Sequence, residues 1–310
     1  MTYTLDRRRL LASYASAVAL TALTSPWQQV LAQASAAVMP VRGNLSLIDA
    51  GGSNVLVCDT SAGLVLVDSG TADYSNRLLN TLSAFRTDKV HTLFNTHWRA
   101  EQCGANAAIG STGAAIIAHQ KSWHHLSTQY YLPAESRYHE PLPQAGRPTV
   151  RIINTGSAEI GAQTIAYGTL VQPHTDGDLY VYFPDTNVLA AGGAVASDQD
   201  PELDWCGGGW LGGRAQSLDT LVALTNADTL IVPAKGKVMT QAELIAERDM
   251  THTLYLRLND LIRSGCSAQC MEQEGALDGL GRSWQDPQQF LYAAYKGLWA
   301  HHYNLAPDIL

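Results

Sequence analysis

The sequence is short of charge, short of basic residues in particular, poor in paired cysteines, and without an apolar run of membrane-spanning length. Charged residues fill 15% of the 310 positions and hydrophobic ones 46%. Intrinsic disorder needs the opposite balance, so that class is excluded and a sizeable core is expected. Twenty basic residues face 28 acidic ones, for a formal charge of −8. An acidic surface of this kind offers no attraction to nucleic acid or to an anionic membrane. A small molecule or a protein partner fits better. The five cysteines contain no CxxC pair, which excludes the usual structural zinc site. Cys266 and Cys270 could pair in an oxidising compartment. Four-residue spacing within a helix, however, aligns side chains without bridging them, so no disulfide is expected.

What is present begins with Asp6-Arg7-Arg8-Arg9-Leu10-Leu11, which resembles a twin-arginine export motif. An apolar stretch from Leu10 to Leu23 follows, too short and too rich in Ala, Ser and Thr for a stable transmembrane span. Ala32-Gln33-Ala34 supplies small residues for signal cleavage, giving a signal segment over 1–34. Cleavage there would leave 17 basic and 27 acidic residues, a charge of −10. The expectation is an exported, periplasmic protein, with an uncleaved membrane anchor or a basic first helix as alternatives. The twin-arginine route carries folded cargo.

Short β-type runs at Leu45 to Asp49, Asn54 to Thr60 and Leu64 to Asp68 predict an antiparallel start. Helical spacing around Tyr74 to Phe85 and an apolar strand at Val90 to Phe94 lead into a loop at Asn95-Thr96-His97. Strands are predicted again at Val150 to Asn154, Gln163 to Gly168, Leu179 to Phe183 and Val188 to Ala191. Ser217 to Leu224 reads as a helix, Thr229 to Val232 as a buried strand, and Thr240-x-x-Glu243 as a capping box opening a helix that Gly265 ends. A last helix is predicted from Pro287 to His301. One domain over 35–265 with a helical extension over 266–310 is the expected organisation.

Four blocks in order resemble the metallo-β-lactamase superfamily: Leu64-Val65-Leu66-Val67-Asp68-Ser69-Gly70, Asn95-Thr96-His97-Trp98-Arg99-Ala100-Glu101-Gln102, Pro173-His174-Thr175-Asp176-Gly177-Asp178 and Ile231-Val232-Pro233-Ala234-Lys235-Gly236. The resemblance implies an α/β fold, a four-layer αβ/βα sandwich with its site at one edge. It also implies zinc-dependent hydrolysis of β-lactam, thioester, lactone, phosphoester or sulfate ester bonds in members with an intact site.

In such members the second block reads His-x-His-x-Asp-His, a spacing that suits two zinc ions. His97 keeps the first position, while Arg99, Glu101 and Gln102 stand at the next three ligand positions. His174 keeps the third histidine of the first metal. The bridging aspartate aligns with Gly193, and the final histidine with Lys235. Arginine stays protonated and cannot ligate. Arg99 and Lys235 inside the pocket would oppose a divalent cation, so no metal cofactor is expected. The alternative is one zinc on His97, Glu101 and His174. Lys235 is expected to meet Glu101 or Asp176 in a partly buried pair near the two histidines.

Asp68 is expected to support the site from behind. Cys103 beside Arg99 reads as small-residue packing before it reads as a nucleophile. His119, His124 and His125, with Lys121 and Trp123, read as a solvated helix face. Cys206 to Gly213 reads as a glycine-rich loop at the pocket border, since no Lys-Ser or Lys-Thr follows to reach a phosphate. The expected function is a non-catalytic or weakly active binding or assembly protein. The alternatives are a single-metal hydrolase of ester, thioester, lactone or amide bonds, and an anion-binding module built on Arg99 and Lys235.

Overall fold

The computed structural model describes residues 36–87, 89–132, 136–197 and 199–305. The twin-arginine-type segment and Ala32-Gln33-Ala34 lie outside the described residues. In chain order the strands are β1 Val38–Arg42, β2 Leu45–Asp49, β3 Asn54–Thr60, β4 Gly63–Val67, β5 Val90–Asn95, β6 Ala115–His119, β7 Tyr130–Leu132, β8 Arg137–His139, β9 Val150–Ile152, β10 Gly156–Ile160, β11 Gln163–Thr169, β12 Leu179–Phe183, β13 Val188–Gly192, β14 Leu230–Pro233 and β15 Met239–Thr240. One sheet runs β1-β2-β3-β4-β5-β6-β9 and the other β10-β11-β12-β13-β14-β15, while β7 and β8 pair as a separate hairpin.

Alternation along the strands builds the layers. In β4, Val65 and Val67 face the core between the sheets, where they meet Val181, Phe183, Val188 and Val232. Leu64 and Leu66 point the other way, toward Leu78, Leu82 and Ile109 of the helical segments on that side. Successive side chains of a strand leave by opposite faces, so an all-apolar strand is buried twice. The second sheet repeats this. Leu189, Ala191 and Ile231 pack under Leu218, Leu221 and Leu244 of the helices Leu211–Leu224 and Gln241–Arg263. The result is helices, sheet, sheet, helices: the four-layer αβ/βα sandwich.

The parallel pairs β4/β5 and β13/β14 end at the same edge. There Asn54 N donates to Ala234 O at 2.8 Å, and Leu179 N to Thr96 O at 2.9 Å, so each sheet is stitched to the loops of the other. Helix Leu211–Leu224 starts six residues before the predicted Ser217. Gly212 and Gly213 lie in this helix, where a Cβ would strike the Trp210 ring at 2.3 Å and the Val171 carbonyl oxygen at 2.1 Å, so close packing rather than loop flexibility requires glycine there.

Thr240 and Glu243 form the capping box of helix Gln241–Arg263, and Gly265 follows its end at φ +86°. The unbridged reading of Cys266 and Cys270 is corrected: they form a disulfide with Cα atoms 5.3 Å apart. Cys266 precedes the helix Ala268–Gln273 rather than lying in it, so helical geometry does not hold the two sulfurs apart. Residues 266–298 bring Cys266, Met271, Phe290, Leu291 and Leu298 onto Met250, Leu254 and Leu258. Among the described residues no helix is long and apolar enough to cross a membrane.

Candidate functional site

Asp68 ends β4 in the left-handed region, at φ +64°. Its carboxylate accepts from Thr96 N at 2.7 Å and Thr96 Oγ1 at 2.8 Å, pinning the loop that leaves β5. Burial pushes this carboxyl up to about 7 against those two hydrogen bonds, with the charges of Glu101 and Asp178 adding to the rise. The far end of the loop is fixed by Asn95 and Asn106, whose side-chain amides exchange hydrogen bonds at 3.1 and 2.8 Å. His97 is thereby delivered into the interior, 1% exposed.

Arg99 N donates to His97 Nδ1 at 3.2 Å, which assigns the proton of the neutral ring to Nε2. Burial, then the neighbouring His174, Lys235 and Arg99, hold this imidazole well below its usual pKa, so it stays neutral. The His174 ring meets it edge-on, with centroids 4.7 Å apart. Asp178 fixes the His174 backbone, accepting from His174 N at 3.0 Å and Thr175 N at 2.7 Å, and His174 Nδ1 donates to Glu202 O at 3.0 Å. Opposite, a Cβ on Gly193 would lie 2.6 Å from His174 Cδ2. The imidazole therefore fills the space that a side chain at 193 would use.

The ion pairs differ in part from expectation. Lys235 Nζ lies 2.7 Å from Glu202 Oε1 and 3.5 Å from Glu101 Oε1. Burial lowers the Lys235 pKa, but Glu202 and Glu101 outweigh it and the ammonium is held above its usual range. Asp176 is not its partner, because Trp98 Nε1, His125 Nε2 and Lys121 Nζ converge on that carboxylate at 3.3, 3.1 and 3.7 Å. Arg99 Nη1 reaches Asp204 Oδ2 at 3.5 Å and its guanidinium lies over the Trp98 ring at 5.2 Å. Both site cations thus face carboxylates.

The reading of the 119–125 histidines as a solvated face is corrected for His125. Its ring stacks on Trp98 at 4.2 Å while its Nε2 donates to Asp176. Helical spacing fixes which residues share a face but not what covers that face. Cys103 is packed as expected: burial drives its thiol well above the usual pKa, and Sγ donates to His97 O at 3.3 Å. Gln102 Nε2 donates to Ala234 O at 3.2 Å, so this side chain braces the Lys235 loop. Glu202 and Asp204 were missed by sequence reasoning. The acidic run Asp200-Pro201-Glu202-Leu203-Asp204 after β13 was the available signal.

The donor set suits a metal poorly. With Nδ1 engaged and the proton on Nε2, neutral His97 has no free lone pair to offer. Lys235 occupies Glu101, and among the described residues no group of three or more His, Cys, Asp or Glu is arranged to hold an ion. Behind the site, Arg214 donates to Gly193 O at 2.9 Å and pairs with Glu247 at 2.6 Å, and both side chains are buried. Glu247 also accepts from Ala196 N at 3.0 Å, so one ion pair shapes the turn after β13.

Arg99, Glu101, His174 and Lys235 open onto a cleft of about 1310 Å³. Its other wall comes from the chain after Ser267 and includes Glu272, Asp286, Phe290 and Tyr292. Clefts of this scale take small molecules.

Comparison with known proteins agrees with the α/β sandwich fold. Residues 48–236 match the family model of the metallo-beta-lactamase superfamily. A metallo-beta-lactamase type 2 from Bacillus sp. (strain 170) is 29% identical over 202 residues, covering 64% of this chain and 72% of the relative. Its counterpart from Bacillus cereus is 26% identical over 199 residues, with the same coverage of 64% and 72%. Among solved structures, a metallo-beta-lactamase from Pontibacter korlensis superposes with a TM-score of 0.57 at 20% identity, covering 70% of this chain and 99% of that one. A stereoselective inverting sec-alkylsulfatase from Pseudomonas sp. superposes at 0.65 with 12% identity, covering 86% of this chain and 50% of that one. The family match spans more than half of the chain and holds both sheet edges that build the site, and by it this chain belongs to the metallo-β-lactamase superfamily, whose hydrolase-type fold it carries.

Proposed function

We propose that this protein is an exported binding or assembly member of the superfamily that works without the zinc pair, and that its ligand occupies the cleft in front of His97 and His174. The observation that carries this reading is the His174 ring filling the side-chain space at Gly193. A bridging carboxylate cannot stand there while His174 keeps its place. Lys235, set between Glu101 and Glu202, supplies a fixed positive charge to the same pocket and opposes a divalent cation.

The β-lactamase and alkylsulfatase activities named for the relatives are therefore not carried over. Protein purified from the exporting compartment and dialysed against micromolar zinc is expected to hold well under one equivalent by elemental analysis. Its melting temperature is expected to be the same with and without chelator, since too few ligands remain to couple metal to folding. Stoichiometric zinc, with chelator-sensitive turnover of a β-lactam or a sec-alkyl sulfate, would overturn the reading.

The second reading, a single-zinc hydrolase on His97, Glu101 and His174, is favoured by one observation, the 4.7 Å approach of the two imidazoles, of which His174 lines the cleft. It requires Lys235 to release Glu101 and His97 to change tautomer. The anion-binding reading loses support because Arg99 faces Asp204, and Lys235 faces Glu101 and Glu202.

A further inference from the structure

The Cys266–Cys270 bridge ties the residue two places before the helix Ala268–Gln273 to the third residue within it. That helix turns Ala268, Gln269, Glu272 and Gln273 to the cleft. Its other supports are few. Six residues fall well short of the length at which a helix holds itself together in water. Ser267 Oγ accepts from Cys270 N at 3.3 Å, Glu272 accepts from Gln288 Nε2 at 3.3 Å, and Met271 alone among its residues is buried.

The flanks of this helix are pinned independently of it. Cys266 N donates to Leu261 O at 2.9 Å, and beyond the helix Arg257 Nη1 donates to Ala276 O and Asp278 O at 2.7 and 2.9 Å. Gly265 and Gly275, at φ +86° and +64°, bracket the piece between. That piece can therefore lose order while its neighbours keep theirs. A bridge across so short a loop also constrains the unfolded chain far less than one spanning a domain, so its larger effect is local. The two sulfurs differ in access: Cys266 is 6% exposed, whereas Cys270 is half-buried.

We propose that the bridge is a redox-operated clasp on this wall of the cleft, opened by a dithiol reductant and closed by a disulfide oxidant. A thiolate of the dithiol attacks Cys270 Sγ, the S–S bond breaks, and Cys266 leaves as a thiolate that takes up a proton. The second thiol of the reductant then attacks the mixed disulfide, frees Cys270 as a thiol and closes the reductant's own disulfide. Two electrons and two protons pass from the dithiol to the bridge. With the clasp shut, the helix Ala268–Gln273 stands as the wall; with it open, the helix frays and the cleft widens on that side. The inference stands apart from the ligand of the cleft and from its metal content.

The test is amide hydrogen exchange, read by mass spectrometry, on the purified protein as isolated, after dithiothreitol without denaturant, and after reoxidation with oxidised glutathione. Alkylation of Cys266 and Cys270 reports the state of the bridge in each sample. Dithiothreitol is expected to expose both thiols in the folded protein. Amides of residues 267–275 should then exchange at least tenfold faster, while those of 241–263 and 287–298 change less than twofold. Reoxidation should restore the slow pattern. The double variant Cys266→Ser, Cys270→Ser should show the fast pattern with or without dithiothreitol, and reduced wild type reads the same state if that variant folds poorly. A bridge that resists dithiothreitol until the protein unfolds overturns the clasp. So does unchanged exchange over 267–275 after reduction. Faster exchange spread evenly through 287–298 overturns it too, because the bridge is then a staple of the whole C-terminal packing.

Discussion

At the scale of single residues, Lys235 bears most directly on what the site has become. Its side chain is 25% exposed, and its partners Glu101 and Glu202 are 28% and 45% exposed. Removing one partner of a fully buried pair costs roughly 3 to 5 kcal/mol, and of an exposed pair roughly 0 to 1 kcal/mol. The observed exposure moves the expectation for Lys235→Ala to about 1 to 2 kcal/mol. Lys237 lies 4.0 Å from Glu243 and is 60% exposed, so Lys237→Ala should cost under ~1 kcal/mol. Urea unfolding of both variants checks this, and equal, mild losses would remove Lys235 from its role as the site's fixed cation. Asp68 gives a pH test. Its carboxyl rises from the ordinary 3.8 to about 7 on folding, so the native state holds the proton more tightly than the unfolded chain. The stability this provides is complete below the unfolded value and is lost as pH climbs from about 4 to about 7. Asp68→Asn titrates nowhere in that window, so the variant should gain on the wild type as pH rises from 4 to 7 and run parallel to it above. Unfolding curves at pH 4, 5.5, 7 and 8 decide the matter, and a stability difference that fails to move in the variant's favour between pH 4 and 7 refutes it.

At the scale of elements, the turn after β13 is set from behind by two helices. Arg214 of helix Leu211–Leu224 and Glu247 of helix Gln241–Arg263 meet with side chains 0% and 4% exposed, and between them bind Gly193 O and Ala196 N. Glu247→Ala leaves a buried guanidinium without its counter-ion, and a loss of about 3 to 5 kcal/mol is expected. Because that pair also holds the strand turn facing His174, Glu247→Ala should disturb the site more than an equal loss in the outer core does. Amide exchange over residues 192–196 compared with a Leu78→Ala control reads this difference. Gly193→Asp tests the same turn from the other side. Its carboxylate would have to displace the His174 ring, so the substitution should cost about 1 to 3 kcal/mol and bring no zinc equivalent with it. Recovery of tight zinc in that variant would mean that His174 yields readily. The Cys266–Cys270 bridge closes a short loop, and chain-entropy reasoning gives it about 2 kcal/mol, measurable as a lower melting temperature on reduction.

At the scale of the whole molecule, charge and destination come together. The export proposal gives the disulfide an oxidising compartment in which to persist. Replacing Arg7 and Arg8 together by Lys should retain the protein in the cytoplasm, because a twin-arginine receptor reads guanidinium pairs. Fractionation of cells carrying the double variant checks this, and normal export would sink the proposal. An acidic chain of net charge −8 also predicts that any cationic ligand binds more weakly as salt rises. The export proposal rests on residues 1–34, whereas the sandwich is built from residues after them.

The sequence by itself determined the fold family, because that information is local and periodic. The strand Leu64 to Val67 is apolar on both faces and can only be a central strand, and the His97 and His174 blocks each sit in a few contiguous residues at a strand end. It also determined that Arg99 and Gly193 offer no metal-binding side chain, which is a matter of side-chain chemistry alone. Only the tertiary structure decided who meets whom. Glu202 reaches Lys235 across 33 residues of sequence, and His125 reaches Asp176 across 51, through loops whose course no periodicity encodes. Gly212 and Gly213 looked like a loop because glycine's backbone freedom is visible in sequence, whereas the Trp210 ring and Val171 carbonyl that forbid a side chain there are not. The cleft belongs to the same class: its two walls come from distant segments, and they face each other only once the last helix has packed.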